Sequence, residues 1–314
     1  LKENSVAQVP LRDGWNVVSN PTGKDVAWAD VQAETDGTLQ ALWGFDGSFS
    51  PVDTLRSART GKAYYFFNDD ASRDSLTIPY PGAPTQKAPS RSTNTTVPQL
   101  ALTATLAPAR EGSGSTVEVA IAEQARSGFG AQDLVAPPGR FEPVSLRLKA
   151  PHTPENARAQ LLMRDTRPPA PTDGHTFDLR LTSQVDGPVR LSVQGAEDLH
   201  RRSAVLLHPS AGATYDLRAD ETITVEPDGE TASLQLAVGT AAYVQSQADR
   251  VLPEEVQLAA YPNPIEQTGT LEYTLPEAAE VRLRVYDVLG REVATLAQGP
   301  KKAGRHTVRI GTDF

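Results

Sequence analysis

The run Asn68-Asp-Asp-Ala-Ser-Arg-Asp74 sets Asn68, Asp69, Asp70 and Asp74 at intervals that suit a hard cation such as Ca2+. An EF-hand loop adds a glycine at its sixth position and a bidentate glutamate at its twelfth. This run has neither. The expectation is an acidic hairpin tip, with an irregular calcium loop as the alternative. A second kind of chemistry lies in a concentration of rings: Trp15, Trp28, Trp43, Tyr64 and Tyr65 all fall in the first 82 residues. Such rings stack on sugars, but each also buries about 150–250 Å² and is natural core material for a small domain. In a strand, Tyr64-Tyr-Phe-Phe67 sends alternate rings to opposite faces. One face is then core, and the other is an interdomain contact or a platform for a surface glycan or another surface protein. Core and interdomain packing is the expected use, with ligand binding as the alternative.

Other catalytic signatures are absent. The five histidines, at 152, 175, 200, 208 and 306, never stand two, three or four apart, so no sequence-local zinc site exists. With no cysteine in the chain, thiol catalysis, disulfides and Cys-ligated metals are excluded. There is no Gly-x-Ser-x-Gly elbow and no P-loop. Gly112-Ser-Gly-Ser115 reads as a turn, because no helix follows whose N-terminus would hold an anion. Carboxylate pairs drawn from 39 acidic residues carry no information. The chain therefore reads as non-catalytic, with no cofactor beyond the calcium alternative.

The formal charge of −9 argues against nucleic acid as a partner, since phosphate binding needs a basic face. No apolar run of about 18 residues is present, so no transmembrane segment is expected. There is no signal peptide, and the first residue is Leu1; the chain reads as a mature form or as the C-terminal part of something longer.

What must position these residues is a set of short strands. With 25 prolines and 23 glycines, the chain is punctuated by turns, and no segment holds a 3.6-residue apolar period over three turns. Residues 1–82 form an aromatic-rich β module with strands at Trp15–Ser19, Leu39–Phe45, Ala63–Asn68 and Ser75–Pro79, and Asp46-Gly47 as a hairpin turn. Residues 83–98 are a Pro/Ser/Thr linker whose Asn94-Thr95-Thr96 fits a glycosylation sequon but is expected to be a plain polar triplet. Residues 99–250 alternate over nine or ten further strands, as a sandwich or jelly roll does. The Pro-rich run at 167–173 is a loop within that block or a split in it; one sandwich is favoured. Val117–Ala125 reads as a short helix or, from its first half, a strand. The expected class is all-β: tandem β-sandwich modules of immunoglobulin-like or jelly-roll type.

Residues 251–314 carry the most specific pattern. Ala260-Tyr-Pro-Asn-Pro264 opens it; Pro262 and Pro264 deny ladder donors, so this stretch is an extended edge or a turn. Leu271–Leu275 and the alternating Val281–Val288 are expected to pair with one another. Leu289-Gly290-Arg291 reverses the chain into Glu292–Leu296, and Ala303–Ile310 supplies another turn and strand. In order and spacing this stretch resembles the C-terminal sorting domain (type A) of proteins exported by the type IX secretion system of Bacteroidota-like bacteria. The resemblance implies an immunoglobulin-like module whose sorting motif is Tyr261, Pro262, Asn263, Pro264, Tyr286, Asp287 and Gly290. It further implies type IX machinery and a sortase-like peptidase as partners, and an extracellular or outer-surface location. The family pattern continues with strands beyond those present here, so the match is to an incomplete copy.

Two weaker likenesses agree with it. Gly14–Pro21 with Ala27–Asp30 and Ala41–Gly47 is similar to a β module of large surface proteins of that bacterial group. Gly174–Leu179, Ser203–Tyr215 and Ser233–Val238 resemble the β-sandwich that often precedes the sorting domain, with Pro-Ser-Ala-Gly at a hairpin turn. The resulting expectation is a non-catalytic, C-terminal multidomain region of a secreted surface protein with structural or adhesive modules. A glycan- or protein-binding module, and the accessory region of a larger secreted hydrolase, are the alternatives.

Overall fold

The computed structural model describes residues 6–35, 38–80, 99–106, 114–126, 128–151, 161–170, 173–199, 202–218, 222–227, 229–265 and 268–311. The expected linker at 83–98, its Asn94 triplet, His152 and His200 lie outside them. The class is all-β, with α-helix among the described residues confined to two short segments, α1 (Trp28–Glu34) and α2 (Ala241–Asp249). Contacts divide the chain into two compact units. One comprises Leu1–Pro169, Arg180–Leu199 and Thr222–Ala232; the other comprises Ala170–Leu179, His200–Glu221 and Ser233–Phe314. One boundary falls inside the proline-rich run 167–173.

The first unit opens with a four-stranded sheet in the order Gly14–Val18, Tyr64–Asn68, Leu42–Phe45, Phe49–Val52. The Asp46-Gly47 turn closes the last pair, with Phe45 opposite Phe49 and Gly47 at φ 82°, a conformation glycine adopts without a Cβ penalty. Trp28 and Val31 stand three apart on α1 and both point into the core with Val18, Leu42, Tyr64, Phe66 and Ile78. α1 covers under three turns, so no long apolar period announces it. Further on, the strands run Val144–Lys149, Leu161–Arg167, Gly114–Ile121, Gln99–Leu106, Val189–Gln194, Thr222–Val225. All these neighbours are antiparallel except Gly114–Ile121 on Leu161–Arg167, which is parallel. The first half of the ambiguous Val117–Ala125 stretch is therefore strand, to Ile121, its side chains alternating largely between buried and half-buried, and the second half is a turn.

In the second unit, Ser203–His208 pairs with Ala213–Asp216 across Pro209–Gly212, as the Pro-Ser-Ala-Gly pattern predicts. Ser203–His208 also pairs with Thr231–Gly239. Thr240 caps α2, its hydroxyl accepting from the Tyr243 N–H. Tyr243, Val244 and Ala248 of that helix lie on Val205, Leu207 and Ala237. From Gln257 onward the pairing differs from expectation. Thr268–Leu275 lies between Gln257–Tyr261 and Gly304–Gly311, while Ala279–Tyr286 pairs with Glu292–Lys301. The anticipated pairing of 271–275 with 281–288 does not form. Ala279–Tyr286 instead turns back on Glu292–Lys301, across a turn that Asp287 fastens by accepting from the Leu289 and Arg291 N–H groups and donating its own N–H to the Arg291 carbonyl.

Candidate functional site

Most of the candidate ligand rings are spent on packing. Trp28 is 5%, Trp43 2% and Tyr64 3% exposed. Trp15 leans on Phe67 with ring centroids 5.3 Å apart. Tyr65, on the opposite face of its strand from Tyr64, meets Phe49 edge-on at 5.0 Å and Phe141 at 6.3 Å. Phe141 comes from the later β-rich block, so this second aromatic face is a packing contact inside the first unit. Trp43 also lines a cleft of about 210 Å³ with Phe49, Pro51, Glu118 and Arg164. There the Arg164 guanidinium is paired with Glu118.

A buried polar joint, with no local sequence motif to announce it, fixes that contact. The Glu142 carboxylate accepts from the Phe49 N–H at 3.1 Å through Oε1 and from Arg147 Nη2 through Oε2. Arg147 Nη1 donates to Ser115 Oγ at 2.6 Å and to the Leu146 carbonyl at 2.8 Å. Ser115 Oγ in turn accepts from the Leu146 N–H at 3.0 Å. Burial pulls the Arg147 guanidinium below its ordinary pKa, and Glu142 opposes that pull. Such a pair persists only because its lone pairs and protons are met by further hydrogen bonds.

In the Asn68–Asp74 run, a guanidinium sits among the oxygens. Arg73 donates to Asn68 Oδ1 at 3.1 Å and Asp69 Oδ1 at 3.2 Å, and reaches Asp70 at 3.8 Å. Asn68, fully buried, uses its amide to hold the Arg12 and Arg73 carbonyls. Asp70 accepts from the Ser72 hydroxyl and N–H, which hold its carboxyl below the usual range. Asp74 accepts from the neighbouring Ser75 hydroxyl. Among the described residues, no group of three or more His, Asp and Glu side chains gathers as a metal site.

The C-terminal motif residues face outward. Tyr261 ends the strand Gln257–Tyr261 with 62% of its surface exposed, and Pro262–Pro264 bends away from it, both X-Pro bonds being cis. Tyr286 is 53%, Val288 103% and Leu289 76% exposed. Asp287 holds this tip in shape: its Oδ1 accepts from the Leu289 and Arg291 N–H groups at 2.9 Å each, and Arg291 Nε reaches Oδ2 at 2.7 Å. These contacts, led by the Arg291 N–H, keep the carboxyl below the usual range. Gly290 supplies the turn at φ 80°. Tyr261 and Tyr286 belong to different sheets of the module.

Among the described residues, Asp133 and His208 are buried with their titration shifted. Asp133, 2% exposed, accepts from the Thr166 and Gly130 N–H groups at 2.7 Å each. Burial nonetheless pushes its carboxyl up to about 6. Burial lowers His208 from the ordinary histidine value. His306 stacks on Tyr273 at 5.0 Å, and His175 lies 6.1 Å from Phe177.

Comparison of the chain with protein-family models, with curated proteins and with solved structures finds no match. No helix among the described residues is long and apolar enough to cross a membrane.

Proposed function

We propose that this chain is a non-catalytic, β-modular region of a secreted bacterial cell-surface protein. Residues 252–314 act as a sorting and anchoring module read by type IX secretion machinery and trimmed by its sortase-like peptidase. The preceding modules, arranged as tandem β-sandwiches, serve as structural or adhesive units at the outer surface. The observation that carries this reading is the placement of the motif residues. Tyr261 and the Tyr286–Leu289 tip pack little and face solvent, while Asp287 and Gly290 are engaged in holding the tip rigid. A side chain that contributes little to the core is available for recognition, and a preformed loop binds without a large ordering cost. The residues are those on which the resemblance to the sorting family rests.

The test fuses residues 252 onward, with any chain the gene encodes after Phe314, to a periplasmic reporter in a bacterium that has the exporter. Release or surface attachment is expected, and Asp287→Ala with Tyr261→Ala should trap the reporter in the periplasm. Periplasmic retention of the unaltered fusion sinks the reading. A second reading, ligand binding by the module of residues 1–82, is favoured only by the cleft beside Trp43 and Phe49. Silence on a glycan array and unaltered binding to cell-surface proteins after Trp43→Phe removes it.

A further inference from the structure

A separate cavity of about 660 Å³ lies wholly within the first unit. Two strands and a loop build it. Arg180 and Thr182 stand two apart on Gly174–Ser183 and so share a face. Ser145 and Arg147 do the same on Val144–Lys149. The loop Gly139–Phe141 closes one side. Gln184 pins that loop, its side-chain amide donating to the Arg140 and Glu142 carbonyls at 2.8 and 3.0 Å, and its N–H to the Pro143 carbonyl at 2.8 Å.

The lining is positive in an acidic chain. Arg140, Arg147 and Arg180 face Glu230; with Arg147 neutralised by Glu142, one surplus positive charge is left against a chain total of −9. Among the described residues the Arg180 side chain has no hydrogen-bond or ion-pair partner. Arg140 lies over the Phe141 ring at 5.2 Å, and a guanidinium stacked in this way keeps its in-plane donors for a ligand. Arg147 Nε is buried and unpartnered. A Cβ at position 139 would come within 2.6 Å of Ser145 Oγ and 3.4 Å of Arg147 Nη2. The glycine therefore keeps open the space over both.

We propose that this cavity is a binding site for a carboxylate-bearing sugar, a uronate or a short uronate oligomer. Forked guanidiniums match a planar carboxylate through paired hydrogen bonds. The Glu230 carboxylate can only accept, so a ligand that satisfies it carries donors as well as negative charge. Sugar hydroxyls are such donors, and they also suit Ser145 and Thr182; bare sulfate offers none. The volume falls in the ordinary range for small-molecule sites, about 300–1,000 Å³.

Calorimetric titration of the full chain with trigalacturonate tests this, with maltotriose as the neutral control and sulfate as the bare anion. Saturable binding of trigalacturonate, weakened by salt, is expected, with neither control competing at equal concentration. Arg180→Ala removes one charge-assisted contact and should cost about tenfold in affinity. Arg180 is exposed, so the variant keeps its denaturation midpoint. Gly139→Val should abolish binding by filling the cavity. Trigalacturonate binding no tighter than either control, or unchanged by Arg180→Ala, overturns the assignment. Neither result bears on the export reading, which concerns other residues.

Discussion

Glu142 and Arg147 form an ion pair sealed from solvent, with side chains 0% and 2% exposed. The same carboxylate receives the N–H of Phe49 from a strand 93 positions earlier in the chain. Glu142 thus ties the aromatic module to the β-rich block through the Phe49 N–H, while its charge is met by Arg147 inside that block.

Removing one partner should cost far more than removing both. Glu142→Ala leaves the Arg147 charge buried and the Phe49 N–H unmet, at about 3–5 kcal/mol. The double change Glu142→Met, Arg147→Met replaces the pair by apolar volume and should fall within about 1 kcal/mol of the unaltered chain. Urea denaturation followed by tryptophan fluorescence measures both. A double variant as unstable as the single one shows that geometry, rather than an orphaned charge, sets the cost.

This joint also marks the limit of what the sequence makes legible. Val144-Ser-Leu-Arg-Leu-Lys149 alternates as a strand with Ser145, Arg147 and Lys149 toward water. It is a strand with those bounds, and Lys149 is exposed, yet Ser145 and Arg147 are buried. The segment from Pro137 to Glu142 covers them, and a covering loop leaves no trace in a two-residue period. Ser75–Pro79 and Thr222–Val225 were equally plain, because their branched, alternating residues and flanking turns depend only on neighbours. Partners are set by long-range packing. Nothing local says that Glu118 lies opposite Arg164 in a parallel pair, or that Thr268–Leu275 turns to Gly304–Gly311. α2 was missed because its nine residues carry only a short apolar contact face.

The Asn68–Asp74 run should respond to loss of its arginine and hardly to calcium. Arg73, its side chain 7% exposed, already occupies the oxygens that a cation would need. Arg73→Ala leaves Asn68 Oδ1 buried without that donor and should cost about 2 kcal/mol. Millimolar Ca2+ or a chelator should leave the thermal midpoint of the unaltered chain within about 1 °C, since a ligand that does not bind the native state shifts nothing. Differential scanning calorimetry in both solutions decides it; a calcium-dependent rise of several degrees restores the calcium loop.

Two glycines should respond to alanine in opposite degree. At Gly239 a Cβ would meet the Asp173 carbonyl oxygen at 2.4 Å and the Gly174 Cα at 2.6 Å. Backbone on that side cannot rotate away, so Gly239→Ala should cost about 3 kcal/mol. At Gly290 nothing lies within 4 Å, and only φ +80° opposes a side chain. Gly290→Ala should cost about 1 kcal/mol. Equal midpoints for the two variants in a urea titration would mean that the close approach at Gly239 relaxes freely.

Asp133 should make stability fall as pH rises between about 4 and 6. Its carboxyl titrates at about 6 in the folded chain, against an ordinary 3.8, with burial the largest cause and Asp165 adding to it. Between those values the folded state holds a proton that the unfolded state has released. Stability from this group is therefore complete below pH 4 and is lost as pH rises through 6. Paired carboxylates such as Asp287 act in the opposite sense, so the comparison must isolate one residue. Asp133→Asn keeps an acceptor for one of the two N–H groups and does not titrate. It should be the less stable chain at pH 4.5, and the gap should narrow by about 2 kcal/mol or more at pH 7.5. A gap that stays constant across that interval would assign the pH dependence elsewhere and leave Asp133 as a hydrogen-bond acceptor alone, fastening Gly130 to Thr166.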